Sequence, residues 1–359
     1  MKSDPSLKLH SGEWVEVRGQ DEILATLDER GCLENLQFMP EMLRYCGKKF
    51  LVYKRADKTC DTITGQHKSR RMYNSVHLAD IRCEGESHGE CDATCLLFWK
   101  EAWLRRVKDE DMSGIQDNNN KGGSRITKCS VEDLIKATRV TTAGSEYGKE
   151  IYSCQATELL KATFPLAWWD IRQYWREFRS GNVRIKEIIR FLSIASLNCI
   201  VSKRGFGRIF YIITGYRSYP FMNTKLMVRG NTPHEILNLQ LGEIVQVKNI
   251  EEILKTLNNW KNRGLYYDSS GEMIKYCDKN FMVKKRVKKI IDEKSGNLLV
   301  LKNEGVILEG TLCCGHYSPN RIFCPRSLYP FWREIWLKRI DSGYQHDMES
   351  SSPILQRNE

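Results

Sequence analysis

No stretch of this sequence is apolar for long enough to cross a bilayer. The longest apolar run, Phe191 to Val201, is broken by Ser193, Ser196 and Asn198 and falls short of the roughly 20 residues that a spanning helix needs. The first residues, Met1 to Gly12, are polar and charged, with no apolar segment ahead of a small-residue cleavage site, so they do not read as a secretory signal. Also absent are GxxxxGK[ST], a GxGxxG turn after a strand, the GxSxG elbow and HExxH. Nucleotide hydrolysis, dinucleotide binding and the common hydrolase chemistries lose their usual signatures with them. The 13 cysteines are odd in number and lack the dense spacing of a disulfide-stapled secreted domain. They read as reduced thiols, some of them metal ligands, in a cytoplasmic protein.

What is present is ordinary globular material. The chain has 359 residues and 41% hydrophobic content, enough for a substantial core and, by length, two or three domains. The formal charge of +11 favours an acidic partner such as nucleic acid or an anionic surface. The one dense basic run, Lys284-Lys285-Arg286 with Lys288-Lys289, also fits a solvated strand edge, where lysine guards against aggregation.

The chain matches itself. Gly12-Glu13-x-Val15-x-Val17 corresponds to Gly242-Glu243-x-Val245-x-Val247, and Glu22-Ile23-Leu24-x-Thr26-Leu27 to Glu252-Ile253-Leu254-x-Thr256-Leu257. Further on, Glu41-Met42 with Tyr45-Cys46 corresponds to Glu272-Met273 with Tyr276-Cys277, and Phe50-x-Val52 to Phe281-x-Val283. Phe98-Trp99-x-Glu101-x-Trp103-Leu104-x-Arg106 closes the series against Phe331-Trp332-x-Glu334-x-Trp336-Leu337-x-Arg339. So many ordered matches indicate an internal duplication.

Each copy opens with a Gly-Glu turn and an alternating Val-x-Val run, the pattern of a half-buried strand, followed by a short helix over Glu22–Leu27 or Glu252–Leu257. Phe50–Tyr53, Val76–Ile81, Phe281–Val283 and Val306–Leu312 read as further strands, and Leu96–Val107 as a helix. The opening turn and strand resemble SH3-like barrels of the KOW sort, over the first strands only. The expected fold is α+β: two duplicated small β-rich, SH3-like barrel modules flanking a helical central segment. The modules span residues 10–107 and 241–340, with a linker over 108–128, a mainly helical segment over 129–240 and a disordered tail over 341–359.

The strongest chemical signal is Cys83-x4-His88-x2-Cys91-x3-Cys95, with Gly85 and Gly89 letting the loop fold back on itself. Thiolates with imidazole suit zinc, and three thiolates with histidine also suit an iron–sulfur cluster. The second copy keeps Cys313, Cys314, His316 and Cys324 as a related candidate site. Cys60 and His77 are candidates to replace His88 as a ligand, whereas Cys46 and Cys277 read as small residues at tight turns. Trp99 with Trp103, and Trp332 with Trp336, read as core anchors, and Glu101 with Arg106 and Glu334 with Arg339 as surface ion pairs.

In the central segment Trp168, Ile171, Trp175 and Phe178 fall on one helical stripe, which predicts burial between the modules. The same aromatics interleaved with Arg172, Arg176 and Arg179 also fit single-stranded nucleic acid, and Lys186 to Arg190 ahead of the apolar run fits a basic helix on an anionic membrane. The leading functional expectation is a metal-binding tandem-repeat protein, with zinc or an iron–sulfur cluster, acting as an accessory or binding protein. A metal- or cysteine-dependent enzyme of a biosynthetic pathway is the alternative, and single-stranded nucleic-acid binding is the third reading.

Overall fold

Val15 and Val17 are fully buried while Trp14 and Glu16 between them face outward, so the alternating run is the strand β1 (Trp14–Val17). The short helix α1 (Gln20–Leu24) follows and buries Ile23 and Leu24. After the small hairpin β2 (Cys32–Leu33) and β3 (Leu36–Gln37) come β4 (Lys49–Arg55), β5 (Lys58–Cys60), β6 (Ser69–Arg71), β7 (Ser75–Leu78), β8 (Trp99–Lys100) and β9 (Leu104–Arg106). Five of these make an antiparallel sheet in the order β8-β7-β4-β1-β9. The computed structural model describes residues 7–64, 68–107, 128–140, 150–202, 206–214, 219–220, 222–318 and 320–340. The expected linker, but for its last residue, and the expected tail lie outside them.

The middle of the chain holds α2 (Val131–Ala137), the pair β10 (Arg139–Val140) and β11 (Ile151–Tyr152), the strand β12 (Phe164–Leu166), and the helices α3 (Arg172–Arg179), α4 (Ile185–Ser202) and α5 (Phe206–Thr214). It packs on both ends of the chain. Leu134, Cys154, Leu159 and Ala162 join the first core, and β12 extends the β5–β6 hairpin into a three-stranded sheet. Val183, Ile188 and Phe191 pack against Ile322 and Phe323. No helix among the described residues is long and apolar enough to cross a membrane.

The last part contains β13 (Ile244–Val247), α6 (Ile250–Leu254), the hairpin β14 (Lys261–Asn262) and β15 (Leu265–Tyr266), the long pair β16 (Asn280–Ile291) and β17 (Leu298–Leu308), and β18 (Leu337–Arg339). The second large sheet is antiparallel, in the order β17-β16-β13-β18. Its registers repeat those of the first: Val15 faces Phe50 and Arg106, and Val245 faces Phe281 and Arg339. The protein is thus a mixed α+β structure with several antiparallel sheets.

Three expectations change. The segment expected as the helix Leu96–Val107 is two short strands joined by the 3-10 turn Glu101–Trp103. Tertiary bonds override its helical spacing: Glu101 is buried and accepts the backbone N–H of Leu9 at 2.9 Å and the Arg55 guanidinium at 2.5 Å. Its expected partner, Arg106, pairs with Glu13 instead, at 2.9 Å, and the second sheet repeats the arrangement with Glu334, Arg286 and Leu239, and Arg339 with Glu243. The basic run lies on β16 past the residues that pair with β13, so β17 borders it on one side only and it is a strand edge as expected, with Asp92 against its far end. Lys284 pairs with Glu309, Lys285 with Asp92, Arg286 with Glu304 and Lys289 with Glu90, so much of its charge is spent inside the fold. The aromatic stripe is not buried: Trp168 and Ile171, which precede α3, and Trp175, which lies on it, are 57%, 77% and 61% exposed, and the helix turns Gln173 and Glu177 inward instead.

Candidate metal centre

The loop between β7 and β8 brings four sequence candidates together. Its ends are tied by the Cys83 N–H on the Cys95 carbonyl at 2.8 Å, and inside it His88 and Glu90 both donate their N–H to the Gly85 carbonyl, at 3.1 and 2.9 Å. Gly85 sits at φ +80°, a conformation that costs glycine little, and a Cβ there would stand 2.2 Å from the Cys91 carbonyl oxygen. We therefore expect Gly85→Ala to open the loop, costing roughly 1–3 kcal/mol as enforced backbone strain does and most of the bound metal; unchanged metal content and thermal stability would show that the loop tolerates a side chain there.

The closure sets the Cys83 Sγ 3.3 Å from His88 Nε2, with both residues buried. Ligands of one tetrahedral zinc, at about 2.3 Å for sulfur and 2.0–2.1 Å for nitrogen, stand roughly 3.6 Å apart, so this pair is at chelating distance. Glu41, from the 3-10 turn Pro40–Tyr45, completes a buried group of three whose ligand atoms all lie within 4.8 Å of one another, and such a group can hold a metal ion. The Glu41 carboxylate lies 3.5 Å from Cys83 Sγ and accepts the Ser87 hydroxyl at 2.5 Å, while His88 Nδ1 lies 3.0 Å from the same hydroxyl. A chain from carboxylate through hydroxyl to Nδ1 leaves the Nε2 lone pair facing Cys83, as in sites where an outer carboxylate orients a ligating imidazole.

Cys91 and Cys95 line the same largely enclosed cavity of about 40 Å³, and so does Cys154, which sequence reading did not single out. It is delivered by the segment after β11, pinned by Gln155, whose side-chain amide donates to the Gln37 and Phe98 carbonyls at 2.9 and 3.0 Å and accepts the Phe98 N–H at 2.8 Å. Nothing in the spacing around Cys154 marks it as a ligand. Glu41 lay inside a matched pair, Glu41-Met42 with Glu272-Met273, but as part of the repeat rather than as chemistry. Burial pushes the thiols up, Cys83 well above its ordinary value, Cys95 to about 12 and Cys154 to about 11, and pushes the His88 imidazole down against the pull of Glu41. At neutral pH, free of metal, the cage is a set of neutral thiols around a neutral imidazole.

The second loop is arranged differently. Cys314 Sγ faces Lys275 Nζ at 2.8 Å, and the His316 ring stacks on Phe191 with centroids 3.9 Å apart. Cys324 and Cys60 are buried and Cys313 is partly buried, and the three are not among the groups of described residues whose ligand atoms lie close enough to hold a metal ion. His77 is buried elsewhere, its Nδ1 2.9 Å from the Leu97 carbonyl oxygen and its ring against Phe98. Cys46 and Cys277 each follow a 3-10 turn, half-buried.

No family model matches this chain, and no curated protein or solved structure matches it either. Function therefore has to be argued from the site itself. A metal-ion centre built from Glu41, Cys83 and His88 is what the donor set offers, with three further thiols on the cavity wall.

Proposed function

We propose that this is a metal-binding protein of two tandem SH3-like modules, in which a zinc ion closes the first loop and an exposed aromatic helix serves as the binding face. The observation that carries the reading is the 3.3 Å approach of Cys83 Sγ to His88 Nε2, backed by an oriented imidazole and by the thiols of Cys91, Cys95 and Cys154 on the same wall. The recurring registers and the twin glutamates Glu101 and Glu334 support the duplication. A buried site with so many protein donors fits a closed structural zinc rather than a catalytic one, which keeps a position open. Four thiols around one cavity favour an iron–sulfur cluster as the second reading.

Metal analysis of the full chain, purified without oxygen, tests this. We expect about one equivalent in the first loop, as zinc without visible colour, because structural sites of this kind bind tightly enough to survive purification. Iron with acid-labile sulfide and visible absorption would select the cluster instead. A protein that carries neither, and takes up neither from solution, is not a metal protein of this kind.

The binding-face part of the proposal rests on Trp168, Trp169 and Trp175, exposed beside Arg172 and Arg179. Stacking faces next to cations suit an acidic partner such as single-stranded nucleic acid. Arg172 is held by Asp170 at 2.8 Å, which limits the charge on offer. Binding of an oligonucleotide that weakens with salt, and is lost in Trp168→Ala with Trp175→Ala, is the expected result. Binding that is absent at low salt overturns it.

A further inference from the structure

Residues 184–213, which hold α4 and α5, carry six basic residues and one acidic one, so a net +5 of the chain's +11 falls in this short stretch. These cations are placed differently from those of β16. Lys284, Lys285 and Lys289 are matched to Glu309, Asp92 and Glu90. Arg184, Lys186, Arg190 and Arg208 are exposed and make no ion pair among the described residues. The one carboxylate of the stretch, Glu187, accepts the Arg184 backbone N–H at 2.9 Å.

The helix α4 has two faces. Ile188 and Phe191 turn into the protein, where they pack with Val183 against Ile322 and Phe323, and Phe191 stacks on His316. Ile185, Ile189 and Ile200, four and eleven residues apart, share another face, and all three are exposed. On α5 the same happens with Ile209, Ile212 and Ile213, at helical spacing, the last two 73% and 77% exposed. The two helices pack on each other, and the chain beyond α5 returns to α4: the Asn198 side chain donates to the Tyr219 carbonyl at 2.7 Å and accepts the Tyr219 N–H at 2.8 Å. An apolar hairpin is thus fixed to the fold through one face of α4, with isoleucines open on both helices and cations beside them.

That combination selects its partner. Isoleucine offers no ring on which a base could stack, the contact that single-stranded nucleic acid needs. A second copy related by a two-fold axis would set the patch against itself and bring Lys186, Arg190 and Arg208 towards their own counterparts. An anionic bilayer surface satisfies both features, because aliphatic side chains enter the boundary between headgroups and acyl chains while cations meet the lipid phosphates. Neither helix is long and apolar enough to cross a membrane, so the hairpin lies along the surface.

We infer that the α4–α5 hairpin docks this protein on a membrane surface rich in anionic phospholipid, with the exposed isoleucines seated at the acyl boundary and Lys186, Arg190 and Arg208 on the headgroups. The inference rests neither on the metal centre nor on the aromatic face of α3.

Flotation of the full chain with vesicles tests it. Wild type rises with vesicles of phosphatidylserine and phosphatidylcholine, stays behind with phosphatidylcholine alone, and is released as salt is added. Lys186→Ala with Arg190→Ala and Arg208→Ala weakens binding to the anionic vesicles by roughly a hundredfold, as three lost charges at such a surface do. Ile212→Asp with Ile213→Asp abolishes flotation and leaves the thermal midpoint unchanged, since both side chains are exposed. Absence of wild-type flotation with anionic vesicles at low salt overturns the proposal, and this comparison needs no variant. Undiminished flotation of the Ile212→Asp, Ile213→Asp protein also overturns it, because charge alone would then account for the adsorption. A wild-type dimer that this double substitution separates makes a second copy the occupant instead. A single-stranded oligonucleotide bound in place of the vesicles, and lost with the same substitutions, makes it nucleic acid.

Discussion

If the first loop holds the proposed metal, chelation is expected to lower the melting temperature of the protein by roughly 8–16 °C. The figure follows from linkage. A site loaded at about 1,000 times its dissociation constant stabilises the fold by about 4 kcal/mol, and each kcal/mol moves the midpoint by about 2–4 °C in domains of 150–250 residues. The physical reason is local. Cys83, His88, Cys91 and Cys154 are buried around a cavity, and the closure that orders them holds together the β7–β8 connection, the Glu41 turn and the segment after β11. Cys83→Ser with His88→Ala reproduces the shift in protein never exposed to chelator. Scanning calorimetry before and after chelation reads it directly, and metal that leaves without moving the midpoint is peripheral to the fold.

Trp336→Ala destabilises the protein by about 3–5 kcal/mol, the range for large aromatic truncations in a core, while Trp175→Ala changes stability by no more than about 0.5 kcal/mol, as surface substitutions do. Trp336 is completely buried, packs edge-to-face on Tyr267 with centroids 5.3 Å apart, and donates its indole N–H to Thr256 at 2.9 Å. Removing it leaves a cavity in the second core and takes one donor from the Thr256 hydroxyl, which keeps its bond to the Ile253 carbonyl. Trp103 stands in the same relation to Phe38 and Thr26 in the first core, with the same expectation. Urea denaturation of the three variants measures the contrast. A large loss from Trp175→Ala would mean that the α3 face is covered after all.

Reading by periodicity succeeded where the pattern had a period of two; at the helical period it found α1 and α6 but misread Leu96–Val107. Val15 and Val17, and Val245 and Val247, alternate because a strand with one face on a core must alternate, so those elements follow from the residues alone. Trp99 and Trp103, four apart, carry the same spacing as a helix face, yet both are buried, Trp99 in β8 and Trp103 at the end of the 3-10 turn. Spacing cannot register that Glu101 between them is claimed by Leu9 and Arg55 from distant segments. Trp175 and Phe178 lie on α3 while Trp168 and Ile171 precede it, and an apolar helical spacing says only that something covers that face or that it is left open.

By itself, the sequence determined the two sets of matched residues and the clustering of Cys83, His88, Cys91 and Cys95 in one loop, because ligands a few residues apart between permissive glycines need no distant information to meet. Tertiary structure alone decided that Glu41 and Cys154 face that loop, that Cys314 and His316 are engaged with Lys275 and Phe191, and that the lysines of β16 are spent on Asp92, Glu90, Glu304 and Glu309. Apart from the pairs with Glu304 and Glu309 on the neighbouring strand β17, these pairings join residues far apart in the chain. Such contacts are set by how the sheets and the middle segment pack on one another, and spacing along the chain carries no record of it.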